Sequence, residues 1–150
     1  IAPIVDLVNA SINVAIGTDG AASNNRLDMF EEMRLTALLG KVTRGAQALP
    51  THQILQMATL NGAIALGIEK QTGSLTVGKA ADITAIDFSD LSLTPCFNPL
   101  SHLIYVASRE HVSHVWVNGR LLLNQGELVT LNEAELIECS QYWQNRITSK

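Results

Sequence analysis

The sequence predicts an α/β fold, and three features of its pattern lead to that prediction. A short apolar strand over residues 12–16 ends in the glycine-flanked turn Gly17-Thr18-Asp19-Gly20. Apolar residues then recur at helical spacing over residues 27–38 and 51–66. After Gly67 the pattern changes to short alternating segments separated by tight turns, which is typical of β-strands. A strand with an acidic residue at its C-terminal end is typical of the edge where α/β barrels carry their chemistry.

Three helices are predicted in the first part of the chain. Residues 3–10 form a short helix that feeds the apolar strand, with Pro3 suited to its first turn. The next helix is predicted to begin at Asn25, an N-cap amide that has Asp28 three residues further on. Thr51 is predicted to cap a third, continuous helix, which Gly67 is predicted to close. The charged residues of the second helix are expected to form a solvated face: Glu31, Glu32 and Arg34.

The second part of the chain, residues 68–130, is predicted to be a portion of a small β-sandwich. The alternating segment 82–88 supplies one strand. Asn118-Gly119 is a strong hairpin signal, because both residues tolerate positive φ. A helix is inserted at about 98–107, where an Asn-Pro pair opens it. Two overlapping capping boxes, Thr130 with Glu133 and Asn132 with Glu135, predict a closing helix over 131–150.

The composition argues against several classes of protein. Hydrophobic residues make up 47% of the 150 positions and charged residues 16%, which is typical of a folded protein with an apolar interior. The net charge is -4 and the ten Lys and Arg residues are scattered, so no nucleic-acid partner is expected. No apolar run reaches the roughly 20 residues that span a bilayer, so no membrane partner is expected. Cys96 and Cys139 have neither disulfide nor metal spacing and indicate a cytoplasmic location.

Four motifs carry a family resemblance. The segment GTDGAASNN, followed by LDMFEEMR, resembles the amidohydrolase superfamily, in particular the branch of aminohydrolases that deaminate 5'-methylthioadenosine and S-adenosylhomocysteine. MATLNGAIALGI, GSLTVGKAADITAID and VSHVWVNGRLLL are similar to the same family and follow in its order. The resemblance implies the C-terminal part of a metal-dependent TIM (β/α)8 barrel in residues 1–67, followed by part of a small β-sandwich. It also implies that the chain corresponds to the C-terminal third of such an enzyme.

Asp19 is the residue to which the resemblance assigns both catalysis and metal binding. In the family, the aspartate that ends the eighth barrel strand ligates a divalent metal and hydrogen-bonds the metal-bound hydroxide, and a carboxylate suits both roles. The implied reaction is deamination of an adenine nucleoside by attack of that hydroxide at C6. Zinc is the expected metal, one ion per full-length chain, although iron or manganese also accepts a histidine and carboxylate site. By composition alone, an Asp in a strand-terminal turn is more often a turn or cap residue.

The histidine ligands that family members carry are absent from this sequence, so the isolated chain is predicted to be inactive. Its four histidines lie in regions where the family keeps no ligands: His52, His102, His111 and His114. The last two are predicted to lie on opposite faces of one strand, where they cannot converge on one ion.

Ser23 and Asn24 lie on the loop that follows Asp19, at the rim of the implied barrel. They are candidate substrate-binding residues, because a loop at the barrel mouth faces the reacting molecule. The alternative is that they turn the chain into the next helix, which local hydrogen bonding by Ser and Asn favours.

Two other functions stay open at this point. One is another ring aminohydrolase or chlorohydrolase, of guanine, cytosine or triazine type. The other is a non-catalytic structural module that contributes its strands to an assembly. The expected partners are a nucleoside substrate, the remainder of a parent polypeptide and further copies of the chain in a homo-oligomer. Exposed barrel edges predict aggregation unless such a partner covers them.

Overall fold

The computed structural model describes residues 1–149, which form a cluster of helices, one antiparallel sheet and a last helix. The first part contains α1 (Ile4–Asn9), α2 (Met29–Arg44), α3 (Thr51–Ala58) and α4 (Leu60–Leu66). The second part contains β1 (Ile83–Ile86), α5 (Pro99–Tyr105), β2 (Val112–Val117), β3 (Arg120–Asn124), β4 (Glu127–Leu128) and α6 (Glu133–Thr148). Two short 3-10 helices lie at Leu91–Leu93 and Arg109–His111.

The apolar segment 12–16 is not a β-strand, which corrects the sequence prediction. The four strands described in residues 1–149 pair with one another in the order β1-β2-β3-β4, and none of them lies beside this segment. The backbone N–H of Ile16 instead donates to the carbonyl of Met57 at 2.9 Å. A strand exists only where a neighbour completes its ladder of hydrogen bonds, and alternating apolar residues do not supply that neighbour.

Helix α2 begins later than predicted, because Asp28 and not Asn25 is its N-cap. Asp28 is buried, with 3% of its surface exposed. Its Oδ1 accepts a hydrogen bond from the backbone N–H of Phe30 at 3.0 Å and of Glu31 at 3.4 Å. The carboxylate therefore satisfies two of the unpaired N–H groups at the positive end of the helix.

The helix predicted to run on from Thr51 is two helices, which break at Thr59. The backbone angles of Thr59, φ -133° and ψ -90°, are not helical, and its hydroxyl donates to the carbonyl of Leu55 at 2.7 Å. Such bonds from threonine compete with the helical ladder. Pro50, and not Thr51, occupies the N-cap position. The predicted end is confirmed, since Gly67 closes α4 in the left-handed conformation, φ 71°.

One hydrophobic core joins α1, α2, α3 and α5. Ile54 on α3 and Ile104 on α5 are both fully buried, at 0% exposure. Helix α5 therefore packs on the helices of the first part, although it lies between β1 and β2 in the chain. The domain limits 1–67, 68–130 and 131–150 stay predictions. The buried members of this core are Val5, Met33, Ala37, Leu49, Ile54, Met57 and Ile104.

The antiparallel sheet confirms the hairpin prediction. Asn118 (φ 50°) and Gly119 (φ 75°) form the turn between β2 and β3 with positive φ at both positions, as a type I' turn requires. Residues 68–82 form turns and not strands, so the first strand begins only at Ile83. The described residues contain one sheet, which corresponds to a single layer of the predicted sandwich.

The C-terminal helix α6 is also confirmed. Asn132 is its N-cap and accepts a hydrogen bond from the backbone N–H of Ala134 at 3.0 Å. Its large apolar side chains are exposed, with 51% of Trp143 and 70% of Ile147 open to solvent. Among the helices of residues 1–149, none has both the length and the apolar character that a membrane crossing demands.

Gly73 and Asp82 hold the turn segment 68–82 against its neighbours. The Asp82 carboxylate accepts hydrogen bonds from the hydroxyl of Thr72 at 2.6 Å and from the backbone N–H of Asn118 at 2.7 Å. These two donors hold the pKa of the Asp82 carboxyl below its usual range, and the Thr72 hydroxyl has the larger effect. Gly73 has φ 84°, and a Cβ atom added to it would lie 2.7 Å from the Cβ of Ala63.

We expect Gly73→Ala to lower the free energy of unfolding by about 1–3 kcal/mol, because the new methyl group overpacks the contact with α4. Gly78→Ala is the matched control: Gly78 also has positive φ, 93°, but a Cβ there meets nothing within 4 Å. Both variants place a side chain at positive φ and share that cost. The difference between their free energies of unfolding, measured by chemical denaturation, therefore reports the clash with Ala63 alone. Equal losses in the two variants would contradict the close approach of Gly73 to Ala63.

Candidate active site

Asp19 ends a segment that is anchored to the helical core. Val14 and Ile16 are half-buried and pack against the core cluster. The side-chain amide of Asn61 on α4 donates to the carbonyl of Val14 at 2.9 Å, and the side-chain amide of Asn13 donates to the backbone carbonyl of Asn61 at 3.0 Å. The segment that leads to Asp19 is therefore fastened by both apolar packing and hydrogen bonds.

The backbone of Asp19 is in the left-handed region, with φ 60°. Its Oδ1 accepts a hydrogen bond from the N–H of Gly20 at 2.7 Å, and its backbone carbonyl accepts one from the Thr18 hydroxyl at 3.1 Å. Aspartate adopts this conformation more readily than most residues, yet it remains uncommon outside glycine. Such positions often occur at functional sites. Asp19 is exposed, so its carboxylate is accessible to a ligand.

The loop after Asp19 folds as a tight turn. The backbone N–H groups of Ser23 and Asn24 both donate to the carbonyl of Gly20, at 2.9 and 3.0 Å. The side chain of Asn24 is engaged at both ends: its Nδ2 donates to Glu32 Oε1 at 2.7 Å, and its Oδ1 accepts from the N–H of Arg26 at 3.0 Å. Asn24 thereby ties the loop to α2. Ser23 is exposed and lies four positions after Asp19 in the chain.

The charged face of α2 is only partly open to solvent, whereas the sequence predicts a solvated face. Glu31, Glu32 and Arg34 are each half-buried. Arg34 Nη2 donates to the backbone carbonyl of Ala107 at 2.8 Å, which fastens α2 to the end of α5. Arg26 Nε lies 3.3 Å from Glu31 Oε2. These side chains cover the core and position the neighbouring elements, because α5 returns across this face of the helix.

Within residues 1–149, no group of three or more His, Cys, Asp or Glu side chains is placed to hold a metal ion. His111 is part of a 3-10 helix and not of the strand, which corrects its predicted placement on one strand with His114. Its Nδ1 accepts from the N–H of Ser108 at 3.0 Å, and its Nε2 lies 3.1 Å from the hydroxyl of Ser92. His114 stacks on Trp116, with 5.4 Å between ring centroids.

Sequence reasoning missed Asn61 and Asn13. The motif MATLNGA reads as a packing helix, because its small residues fall at helical spacing. One signal was available: an asparagine among small and apolar residues, on a helix expected to be buried, needs a hydrogen-bond partner. In the structure that partner is the segment that carries Asp19.

A model of the amidohydrolase family matches residues 1–122. Over 149 residues the chain is 46% identical to a 5-methylthioadenosine/S-adenosylhomocysteine deaminase of Teredinibacter turnerae, covering 99% of this chain and 34% of that protein. Over 142 residues it is 47% identical to a 5'-deoxyadenosine deaminase of Methanosarcina barkeri, covering 94% of this chain and 32% of that protein. The chain thus spans about a third of the length of the curated relatives it matches.

Two crystal structures resemble all or nearly all of the described fold. An adenosine deaminase from Xanthomonas campestris with bound zinc aligns with a TM-score of 0.96 and 45% identity, covering 100% of this chain and 34% of that one. Atrazine chlorohydrolase from Arthrobacter aurescens complexed with zinc aligns with a TM-score of 0.87 and 28% identity, covering 95% of this chain and 32% of that one. These alignments confirm the predicted α/β fold class.

Proposed function

Because the chain belongs to the amidohydrolase family, we propose that it supplies one metal ligand, Asp19, to a metal-dependent hydrolase that deaminates an adenine nucleoside. The observation that carries the proposal is the placement of Asp19, an exposed carboxylate in a left-handed turn at the end of an anchored segment. The isolated chain is inactive under this proposal, because one carboxylate cannot hold a catalytic metal alone.

The Asp19 carboxylate fits one ligand position of a divalent metal site. It is exposed, and in the part of the chain that the structure describes only its Oδ1 has a hydrogen-bond donor. Oδ2 is thus available, and carboxylate oxygen is a common ligand of zinc, manganese and iron. Zinc is the metal we propose, since it is the ion bound in the similar adenosine deaminase structure. The remaining ligands would come from the rest of a longer polypeptide.

The proposed reaction replaces the exocyclic amine at C6 of adenine with oxygen, consumes one water and releases ammonia. A bound metal supplies the acidity that makes this water a nucleophile at neutral pH. Asp19 would hold the metal through its carboxylate and would accept the proton that the attacking water loses. Asn24 keeps the loop in place through α2, and Ser23 remains a candidate for contact with substrate.

We propose 5'-methylthioadenosine, S-adenosylhomocysteine or 5'-deoxyadenosine as the substrate. The support is that relatives named as deaminases of these nucleosides are 46 and 47% identical to this chain over the aligned residues. The second candidate is a ring chlorohydrolase or aminohydrolase of triazine type. It is supported by the similar fold of atrazine chlorohydrolase, at the lower identity of 28%.

We also propose that the remainder of a longer polypeptide covers part of the described surface. Large apolar side chains are exposed on α2 as well as on α6, among them Leu35, Leu38 and Val42. Scattered apolar residues on a surface are normal, but a cluster along one helix marks a contact with another element.

The two unpaired thiols support a cytoplasmic location.

The test compares hydrolysis of the three adenine nucleosides with that of guanine, cytosine and a chlorotriazine, using the full-length polypeptide that contains this chain. We expect ammonia release from the adenine nucleosides, about one zinc per polypeptide, loss of activity after chelation and recovery when zinc is restored. The 150-residue chain alone should show neither activity nor tight zinc binding. Faster turnover of the triazine would favour the second candidate, and full activity after complete metal removal would refute both.

A further inference from the structure

The segment before Asp19 makes its hydrogen bonds to helices α3 and α4. A barrel strand would instead make such bonds to neighbouring strands. The carbonyl of Val14 accepts from the Asn61 side chain, the Asn13 side chain donates to the carbonyl of Asn61, and the N–H of Ile16 donates to the carbonyl of Met57. All three bonds are between 2.9 and 3.0 Å long. We call them the Asn61 latch.

The break between α3 and α4 makes this latch possible. In a continuous helix the carbonyl of Met57 would accept the backbone N–H of Asn61, four residues further on. The helix stops at Ala58 and restarts at Leu60, so the carbonyl of Met57 remains available to Ile16. Carbonyls in the last turn of a helix need an outside partner. The same restart places Asn61 in the first turn of α4, within reach of Val14.

The latch also sets where Asp19 lies. The hydrogen bonds of Asp19 itself are local, to Thr18 and Gly20, and do not fasten it to the core. Only two residues separate Ile16 from Asp19, so a shift of the latched segment moves the carboxylate with it. Metal–ligand distances tolerate only about 0.2 Å, and a displacement of about 1 Å in a reacting group can lower a rate 100-fold.

We propose that Asn61 is a positioning residue for Asp19, acting with Asn13 through the Asn61 latch. This inference rests on the proposed role of Asp19 as a metal ligand. Under this proposal, Asn61 contacts neither the metal nor the substrate. Its side chain determines the position from which Asp19 reaches the metal.

The experiment uses the full-length polypeptide and two latch variants. Asn61→Asp keeps the size of the side chain, removes the donor and places a negative charge against the carbonyl of Val14. Asn13→Ala removes one bond at an exposed position, so it does not threaten folding. Leu93→Val is the control, because it weakens the packing of a fully buried side chain that lies outside the core cluster against which Val14 and Ile16 pack. For each protein we would measure zinc affinity by competition with a chromophoric chelator, kcat, KM and the thermal midpoint.

We expect Asn61→Asp to lower zinc affinity and kcat by about 10- to 100-fold, as is typical when the support of a metal ligand is lost. KM should stay unchanged. Asn13→Ala should lower zinc affinity and kcat by a smaller factor, whereas Leu93→Val should lower only the thermal midpoint. A variant of Asn61 that loses thermal stability but keeps zinc affinity and kcat would overturn the proposal. If Asn61→Asp does not fold, unchanged zinc affinity in Asn13→Ala overturns it.

Asp19→Asn in the same series separates this inference from the proposed function. If Asp19→Asn keeps its zinc and its rate, the proposed function fails. If Asp19→Asn loses both while the latch variants lose neither, the positioning role of Asn61 fails alone.

Discussion

Asp19→Asn in the full-length polypeptide is expected to lower kcat by about 10² to 10⁴-fold, the range that a lost proton acceptor commonly costs. The amide is nearly the same size as the carboxylate, but it carries no charge to hold a metal and cannot take a proton from water. Asparagine also tolerates positive φ, so the left-handed turn at this position should survive the change. Steady-state rates and zinc content per polypeptide are the measurements.

Asp87→Asn is the matched control for Asp19→Asn. Asp87 is also an exposed aspartate whose Oδ1 accepts a local backbone N–H, that of Ser89 at 2.8 Å. It follows β1 and has no proposed part in the site, so its variant should keep both zinc and rate. Equal rates for the two variants would show that Asp19 is only a turn residue, which is the alternative that composition alone favours.

Ile54→Ala is expected to lower the free energy of unfolding by about 2–5 kcal/mol. Ile54 is fully buried at the centre of the core that α1, α2, α3 and α5 share. Removing its side chain beyond Cβ leaves a cavity between the helices of the first part of the chain and α5, so the surrounding residues cannot easily collapse into it. Chemical denaturation followed by circular dichroism measures the loss.

The control for this loss is Gln56→Ala, on the same helix but at an exposed position. Surface changes of this kind usually alter stability by about 0.5 kcal/mol or less. A cost for Ile54→Ala no larger than that of the control would mean that α5 does not pack where the structure has it.

Short-range patterns predicted many of the elements correctly. The hairpin at Asn118-Gly119, the end of α4 at Gly67 and the cap of α6 at Asn132 all depend on residues within four positions of one another. Their physical causes, positive φ and side-chain caps, are properties of the local chain. Such local signals do not depend on how distant segments of the chain pack.

The errors came where two local signals competed or where a distant partner was needed. Asn25 and Asp28 are both good caps, and the structure uses Asp28, the residue that becomes buried against the helix end. The segment 12–16 has the pattern of a strand, but within the described residues it meets helices and not another strand. Pattern alone does not specify the partner of a strand.

The sequence by itself determined the α/β class, the position of Asp19 in a glycine-flanked turn and, through its motifs, the family. The metal-ligand role of Asp19 stays a prediction that the resemblance supplies. Only the tertiary structure revealed that Asn61 reaches Val14, 47 positions away, and that Arg34 reaches Ala107, 73 positions away. The physical reason is that such bonds form only after apolar packing has brought distant segments together, and no local pattern encodes which distant carbonyl an amide or guanidinium will meet.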